Sequence, residues 1–302
     1  MAEPRNLADT GERMIPALHR GVLVYGEHMA RYDALLPLVA GKTILDIACG
    51  TGYGSQLMAR TATKVHGVDR SDEALGYART HHGASNVEFI QGDALAIPLP
   101  DASVDIVVSL ETIEHVSDHS AFLAEARRVL RPGGQLAIST PNSVEYPHGN
   151  EFHVHEFDLD ELTQTLRQTF QNLDLYCQGV WLVSAVLAEA EFGSEWKRSL
   201  DMRKAVIQPP TQALYYLFLC SDSELERLPG AGTIAEAWRA KDLTEAHDRH
   251  QMERTHLEST IGGLRADLAS AHAELAAIHS SRIWRSGHRL RAAWDRLRGG
   301  RA

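Results

Sequence analysis

The stretch Thr43-Ile44-Leu45-Asp46-Ile47-Ala48-Cys49-Gly50-Thr51-Gly52-Tyr53-Gly54 leaves this chain few folds to choose from. Thr43 to Ile47 is rich in β-branched and apolar residues, which suits a buried strand. The glycines that follow let the backbone turn sharply and come close to a ligand. Ser55-Gln56-Leu57-Met58-Ala59-Arg60 then has the character of a helix. A strand, a glycine turn and a helix set a nucleotide-like ligand at the carboxyl end of a parallel sheet.

The residues around the turn narrow the ligand. A dinucleotide fingerprint needs Gly or Ala three residues after Gly52, where this chain has Ser55. A phosphate loop needs Gly-Lys-Ser/Thr at the end of the glycine turn, which is absent from this turn. An acid, Asp46, stands at the strand end instead. A carboxylate repels a pyrophosphate and attracts a cation. S-adenosylmethionine (SAM) carries a sulfonium and an ammonium and no phosphate, so the local chemistry favours SAM over NAD or ATP.

Asp46 to Gly52 resembles motif I of the class I SAM-dependent methyltransferases, with Ala48 where that motif usually has Gly. The resemblance spans roughly residues 11–220. It implies a Rossmann-like α/β fold, a doubly wound sheet of about seven strands with the last antiparallel. It also implies a cofactor-binding set of Asp46, Ala48, Gly50, Gly52, Asp69, Arg70, Asp93, Ala94, Leu110 and Glu111.

The order of elements agrees. Lys64 to Asp69 predicts a second strand ending in an acid, which can accept hydrogen bonds from both ribose hydroxyls. The alternative for Asp69 is a role in capping the helix opened by Ser71-Asp72-Glu73. Asn86 to Ile90 predicts a third strand, followed by Asp93, which the resemblance sets against the adenine amino group. Val104 to Ser109 predicts a fourth strand, with Leu110-Glu111-Thr112-Ile113-Glu114-His115-Val116 at its carboxyl end. Asp118 to Leu130 has helical periodicity, Arg131-Pro132-Gly133-Gly134 breaks it, and Gln135 to Thr140 predicts a fifth strand. Leu173–Gly179 and Gln212–Ser221 are expected to close the sheet as a hairpin, with a helical insertion over 181–208 containing Trp181, Phe192 and Trp196. Ahead of motif I, Glu27 to Val39 predicts a helix, which the resemblance sets across the SAM pocket; Tyr25, His28 and Tyr32 either face that pocket or pack the helix on the sheet, and aromatics at helical spacing favour packing.

Methyl transfer to oxygen needs a positioned nucleophile and a base. Histidine is the natural base near neutral pH. His115 sits beside the expected cofactor, and His153 and His155 lie on the long polar segment 141–158, which has the character of a substrate lid. These three are the catalytic candidates; each also has a purely structural reading. Glu151, His153, His155 and Glu156 raise a metal reading, but their spacing matches no tetrahedral or facial set, and no metal is assigned.

Gly11-Glu12-Arg13 with Glu27-His28, and Thr140-Pro141-Asn142 with Phe152 to Phe157, resemble bacterial methyltransferases associated with polysaccharide assembly. That resemblance implies O-methylation of a sugar hydroxyl in a glycan or lipid-linked saccharide. The alternatives are a small metabolite or quinone-like acceptor, a SAM-binding scaffold without catalysis, and, more remotely, a nicotinamide enzyme.

The formal net charge of −10 argues against a nucleic-acid partner. Cys49, Cys177 and Cys220 form no CxxC pair and suit a reducing cytoplasm. The longest apolar stretches fall short of the ~20 residues that span a bilayer. The expected division is a methyltransferase domain over 1–222, a linker over 223–233, a coiled-coil helix over 234–281 and a basic tail over 282–302. Leu257, Ile261, Leu264, Leu268, Ala271, Leu275 and Ile278 form a heptad seam, a candidate for self-association through 243–281. The other reading is a helix packed back on the domain. The tail carries seven arginines against one aspartate and two tryptophans, which suits an anionic membrane surface or glycan-assembly protein, or the acidic body of its own chain. The expected location is cytoplasmic, including the inner face of the membrane.

Overall fold

The computed structural model describes residues 13–19, 23–146, 150–180, 208–230 and 240–280, and a few between 286 and 294. The insertion expected over 181–208 lies almost entirely outside the described residues, as does most of the basic tail. The chain divides into two units, Met1–Ala237 and Trp238–Ala302.

The first unit is built on one seven-stranded sheet. Its strands are β1 (Thr43–Ile47), β2 (Lys64–Asp69), β3 (Val87–Gln91), β4 (Val104–Leu110), β5 (Leu130–Pro141), β6 (Asn172–Gln178) and β7 (Tyr215–Ser221). Their order across the sheet is β3-β2-β1-β4-β5-β7-β6. The first five run parallel, while β7 is antiparallel to both β5 and β6. The expected closing hairpin therefore forms with β7 inserted beside β5 and β6 left at the edge.

The helices are α1 (Pro16–His19), α2 (Leu23–Val39), α3 (Tyr53–Met58), α4 (Asp72–His81), α5 (His119–Val129) and α6 (Leu159–Arg167). Successive residues of a strand face opposite sides. On β1, Leu45 and Ile47 join one core with Phe122, Leu123 and Ala126 of α5 and Leu162 and Leu166 of α6. Ile44 joins a second core with Leu35, Leu38 and Val39 of α2 and Met58 of α3. A sheet buried on both faces is what the near-continuous apolar strands require. Helix starts follow the sequence signals. Ser71, Asp118 and Asp158 each accept a backbone N–H from the first turn of α4, α5 and α6.

One boundary differs from expectation. Arg131-Pro132-Gly133-Gly134 does not end the secondary structure but lies inside β5. The register passes from Val104↔Leu130 to Ile106↔Gln135, so the extra residues bulge out of the ladder, with Gly133 at φ 80°. The segment after the sheet is also tied down. Leu228 is buried in the second core, and its N–H donates to the Tyr176 hydroxyl at 2.9 Å.

In the second unit, α7 (Ala240–Ser280) is a single 41-residue helix. Leu257, Ile261, Leu264, Leu268, Leu275 and Ile278 are exposed along it. No described helix is long and apolar enough to cross a membrane.

Candidate functional site

The carboxyl ends of β1, β2, β4 and β5 converge on one rim of the sheet, and the predicted residues lie there. After β1 the chain makes a left-handed turn, with Ala48 at φ 56°, Gly50 at φ 54° and Gly52 at φ 81°. The last two are glycines for a reason that geometry supplies. A Cβ on Gly52 would stand 2.6 Å from Phe89 Cζ and 2.7 Å from Ala78 Cβ. A Cβ on Gly50 would meet nothing within 4 Å, so the space in front of the turn is open. Ala48 bears its φ with a Cβ, a mild strain that clusters at functional turns.

Asp46 is buried behind this turn and accepts from Ser55 Oγ at 2.5 Å. Burial lifts its carboxyl from 3.8 to about 7; the Ser55 hydrogen bond opposes the rise, and the charge of Asp69 adds to it. The Asp69 carboxylate accepts from Gly50 N and from Ser71 N, each at 2.8 Å. It thus fixes the glycine turn and the start of α4 together, while Ser71 is the cap proper. Asp93 Oδ1 accepts from Leu95 N at 2.9 Å in a tight turn, and Ala94 packs on the first core. Arg70 follows Asp69 on the exposed side, its carbonyl accepting from Gln91 Nε2. Leu110 lies in the second core, and Glu111 takes φ 54° at the end of β4.

Helix α2 crosses this rim. His28 Nδ1 meets the Tyr53 hydroxyl at 2.6 Å, and Tyr32 stands edge-on to the Tyr53 ring at 5.5 Å. Both residues pack the helix onto the turn. The sequence reading missed Arg31 beside them. Its guanidinium is buried, 4.4 Å over the Tyr215 ring, with Nη1 donating to Gln178 Oε1 at 2.7 Å and Nη2 at 3.9 Å from Glu111 Oε1. The Tyr215 hydroxyl donates to Glu27 Oε2 at 2.8 Å. Arg31 therefore sets one positive charge in a pocket that also holds the carboxylates of Glu27 and Glu111.

The segment that follows β4 carries the histidines. A short 3-10 turn, Ile113–His115, follows β4. Glu114 is 1% exposed; Oε2 accepts from Thr140 Oγ1 at 2.9 Å, and Oε1 is buried with no hydrogen-bond partner among the described residues. Burial lifts the Glu111 carboxyl, opposed by Arg31, and lifts Glu114 further with the charge of Glu111 added. The expected lid is stapled to this turn, since Val154 N and His155 N both donate to the Glu114 carbonyl, at 2.8 and 3.1 Å. The staple brings His115 and His153 edge to face with 5.0 Å between ring centres. His155 turns elsewhere. Its Nε2 meets Glu161 Oε1 at 2.8 Å and its ring packs on His119 and Phe157, which is a structural role at the start of α6. The cation donors that converge are likewise not the four weighed from sequence. Among the described residues, Glu114, His115 and His153 bring ligand atoms within 4.8 Å of one another.

The open space before Gly50, the buried Asp46 carboxyl behind it and the acceptor-rich Asp69 beside it fit a cationic nucleoside better than a phosphate ligand. Comparison with known proteins agrees. Residues 45–138 match the profile of the family described as a methyltransferase domain. A probable S-adenosylmethionine-dependent methyltransferase of Mycolicibacterium smegmatis is 39% identical over 170 residues, covering 55% of this chain and 65% of that protein. A ubiquinone biosynthesis O-methyltransferase of Sinorhizobium fredii is 39% identical over 104 residues, covering 34% of this chain and 42% of that protein. The chain thus spans less than two thirds of the length of these relatives. A solved SAM-dependent methyltransferase of Thermotoga maritima, described as a possible histamine N-methyltransferase, superposes with a TM-score of 0.50 at 19% identity, over 69% of this chain and 93% of that one. The seven-stranded mixed sheet is a Rossmann-like α/β fold shared with that solved structure.

Proposed function

We propose that this chain is a class I SAM-dependent methyltransferase that methylates a hydroxyl oxygen, and that the acceptor is a saccharide. S-adenosylmethionine is its cofactor. When bound it supplies a methyl group on a positive sulfur, and attack by the acceptor oxygen on that carbon breaks the C–S bond and leaves S-adenosylhomocysteine.

The chain's own residues have three tasks. The turn Ala48–Gly52 offers backbone to the ligand with no side chain in the way. Asp46 and Asp69 hold negative charge and hydrogen-bond acceptors against a cationic nucleoside. The acceptor's proton falls to the histidine pair. The Phe152 carbonyl can only accept, so the hydrogen bond of 2.8 Å from His115 puts a proton on Nδ1. In the neutral ring Nε2 then carries the lone pair of a base.

The observation that carries the oxygen acceptor is the His115–His153 pair beside buried Glu114, since a nucleophile that must lose a proton needs such a group and a thioether or tertiary amine does not. The saccharide is favoured by the polar surroundings of that pair, Asn150, Glu156, Glu111 and Thr140, which suit a polyol better than an apolar ring. The test is transfer of label from methyl-labelled SAM to polyhydroxylated acceptors and to simple phenols. Preferential labelling of saccharide oxygen supports the reading. Labelling of nitrogen, or of phenols alone, contradicts it.

A further inference from the structure

The group Glu114, His115 and His153 has the outline of more than a base. Metal-bound histidines usually give their other ring N–H to a carbonyl or a carboxylate, which fixes the tautomer and aims the ligating nitrogen. Both histidines here have that partner in place. His115 Nδ1 is held by the Phe152 carbonyl at 2.8 Å. His153 Nδ1 is held by Glu156 Oε1 at 3.1 Å, and its Nε2 takes a hydrogen bond of 2.9 Å from Asn150 Nδ2, so Nε2 is the lone-pair atom. The third donor is a buried carboxyl half-used: Oε2 is spent on Thr140, and Oε1 has no hydrogen-bond partner among the described residues. A buried carboxylate oxygen without a partner is costly and asks for a ligand.

We propose that Glu114, His115 and His153 hold a divalent transition-metal ion, in a two-histidine, one-carboxylate set with its remaining positions open to the methyl acceptor. Imidazole and carboxylate together suit zinc, iron, cobalt or manganese rather than calcium or magnesium. The donors lie within 4.8 Å of one another, and tetrahedral ligands around zinc stand about 3.4 Å apart. Loading therefore draws the donors in by roughly an ångström, with Asn150 releasing His153. Glu114 is fixed by Thr140, and His153 sits on the loop stapled to the Glu114 carbonyl, so the loop supplies the movement.

The role of the ion rests on the methyl-transfer reading, although its binding does not. A hydroxyl on the open side of the ion is acidified and gives its proton to solvent water. Its oxygen then forms the new C–O bond as the C–S bond breaks. The base role of the histidine pair belongs to the metal-free site; with the ion bound both are ligands, and the ion acidifies the hydroxyl in their place.

The test uses the full chain, freed of metal by chelation and titrated with cobalt(II) while visible absorption is recorded. We expect one cobalt per chain with ligand-field bands. His153→Ala should weaken binding at least tenfold while leaving SAM affinity within a small factor. His155→Ala, in the same loop but outside the group, should bind cobalt as the wild type does. No cobalt spectrum in the wild type, or equal binding by His153→Ala, overturns the site. Cobalt binding that depends on His153 in a chain that binds no SAM leaves the site standing and removes the methyl-transfer reading instead.

Discussion

The place where a side chain on Gly54 would go is taken by the ring of Tyr32. A Cβ built there falls inside the van der Waals surface of Cζ and Oη. The last glycine of the motif thus serves the docking of α2 onto α3, while the turn itself needs Gly50 and Gly52. Gly54→Ala should displace Tyr32 and cost about 1–3 kcal/mol in denaturant unfolding. Adding Tyr32→Ala to that variant should return part of the loss, because the ring is then gone. A Gly54→Ala protein as stable as the wild type would remove this contact from the account.

The carboxyl of Asp46 should make cofactor binding pH-dependent. Its folded pKa, lifted to about 7, means that the free protein holds a proton there that the unfolded chain does not. The stability contributed by that proton is present at low pH and is lost as pH rises from about 4 to about 7. A bound sulfonium and ammonium favour the ionised form. SAM affinity should therefore fall by up to about tenfold per pH unit below pH 7, with the site giving up a proton on SAM binding and taking one up on SAM release. Calorimetry in buffers of different ionisation enthalpy reads this directly. Asp46→Asn should bind more weakly and lose the slope.

Among the described residues, Arg31 is the buried cation that faces the carboxylates of Glu27 and Glu111. Arg31→Met leaves Glu27 and Glu111 without it and should cost about 3–5 kcal/mol. Arg31→Met with Glu111→Gln should recover a measurable part. Additive losses in that double variant would show that the two side chains are not coupled across their 3.9 Å.

Six apolar side chains exposed along α7 are more than a solitary helix needs. If they pair with a second copy, Leu264→Asp with Leu268→Asp should shift the sedimentation-equilibrium mass of the full chain from dimer to monomer. A wild-type chain that is monomeric at all concentrations rules out self-pairing.

How much of this was legible in the sequence differs from element to element. The β1 turn and α3 announce themselves, because β-branched residues, glycines and caps act within a few residues of one another. The starts of α4 and α5 were legible for the same reason. The position of β7 between β5 and β6 was not, since strand order depends on which edges meet in space. Arg131-Pro132-Gly133-Gly134 has the composition of a chain break, yet pairing with β4 on both sides turns it into a bulge. In the site, His115 and His153 could be named from their stretches, but their convergence depends on the Glu114 carbonyl stapling the loop. Arg31 gave no signal. A single arginine in a helix is ordinarily solvated, and its partner Gln178 lies 147 residues away.

The most direct measurement of the central claim is calorimetric titration of the full chain and of Asp69→Ala with SAM and, separately, with NAD. The account predicts one SAM site per chain, with a dissociation constant of about 1–100 μM, and no heat from NAD. Asp69→Ala loses a charged acceptor and the anchor of Gly50 N, and should bind SAM about 2–3 kcal/mol more weakly. Binding of NAD without SAM, or an Asp69→Ala protein that binds SAM as the wild type does, would contradict it.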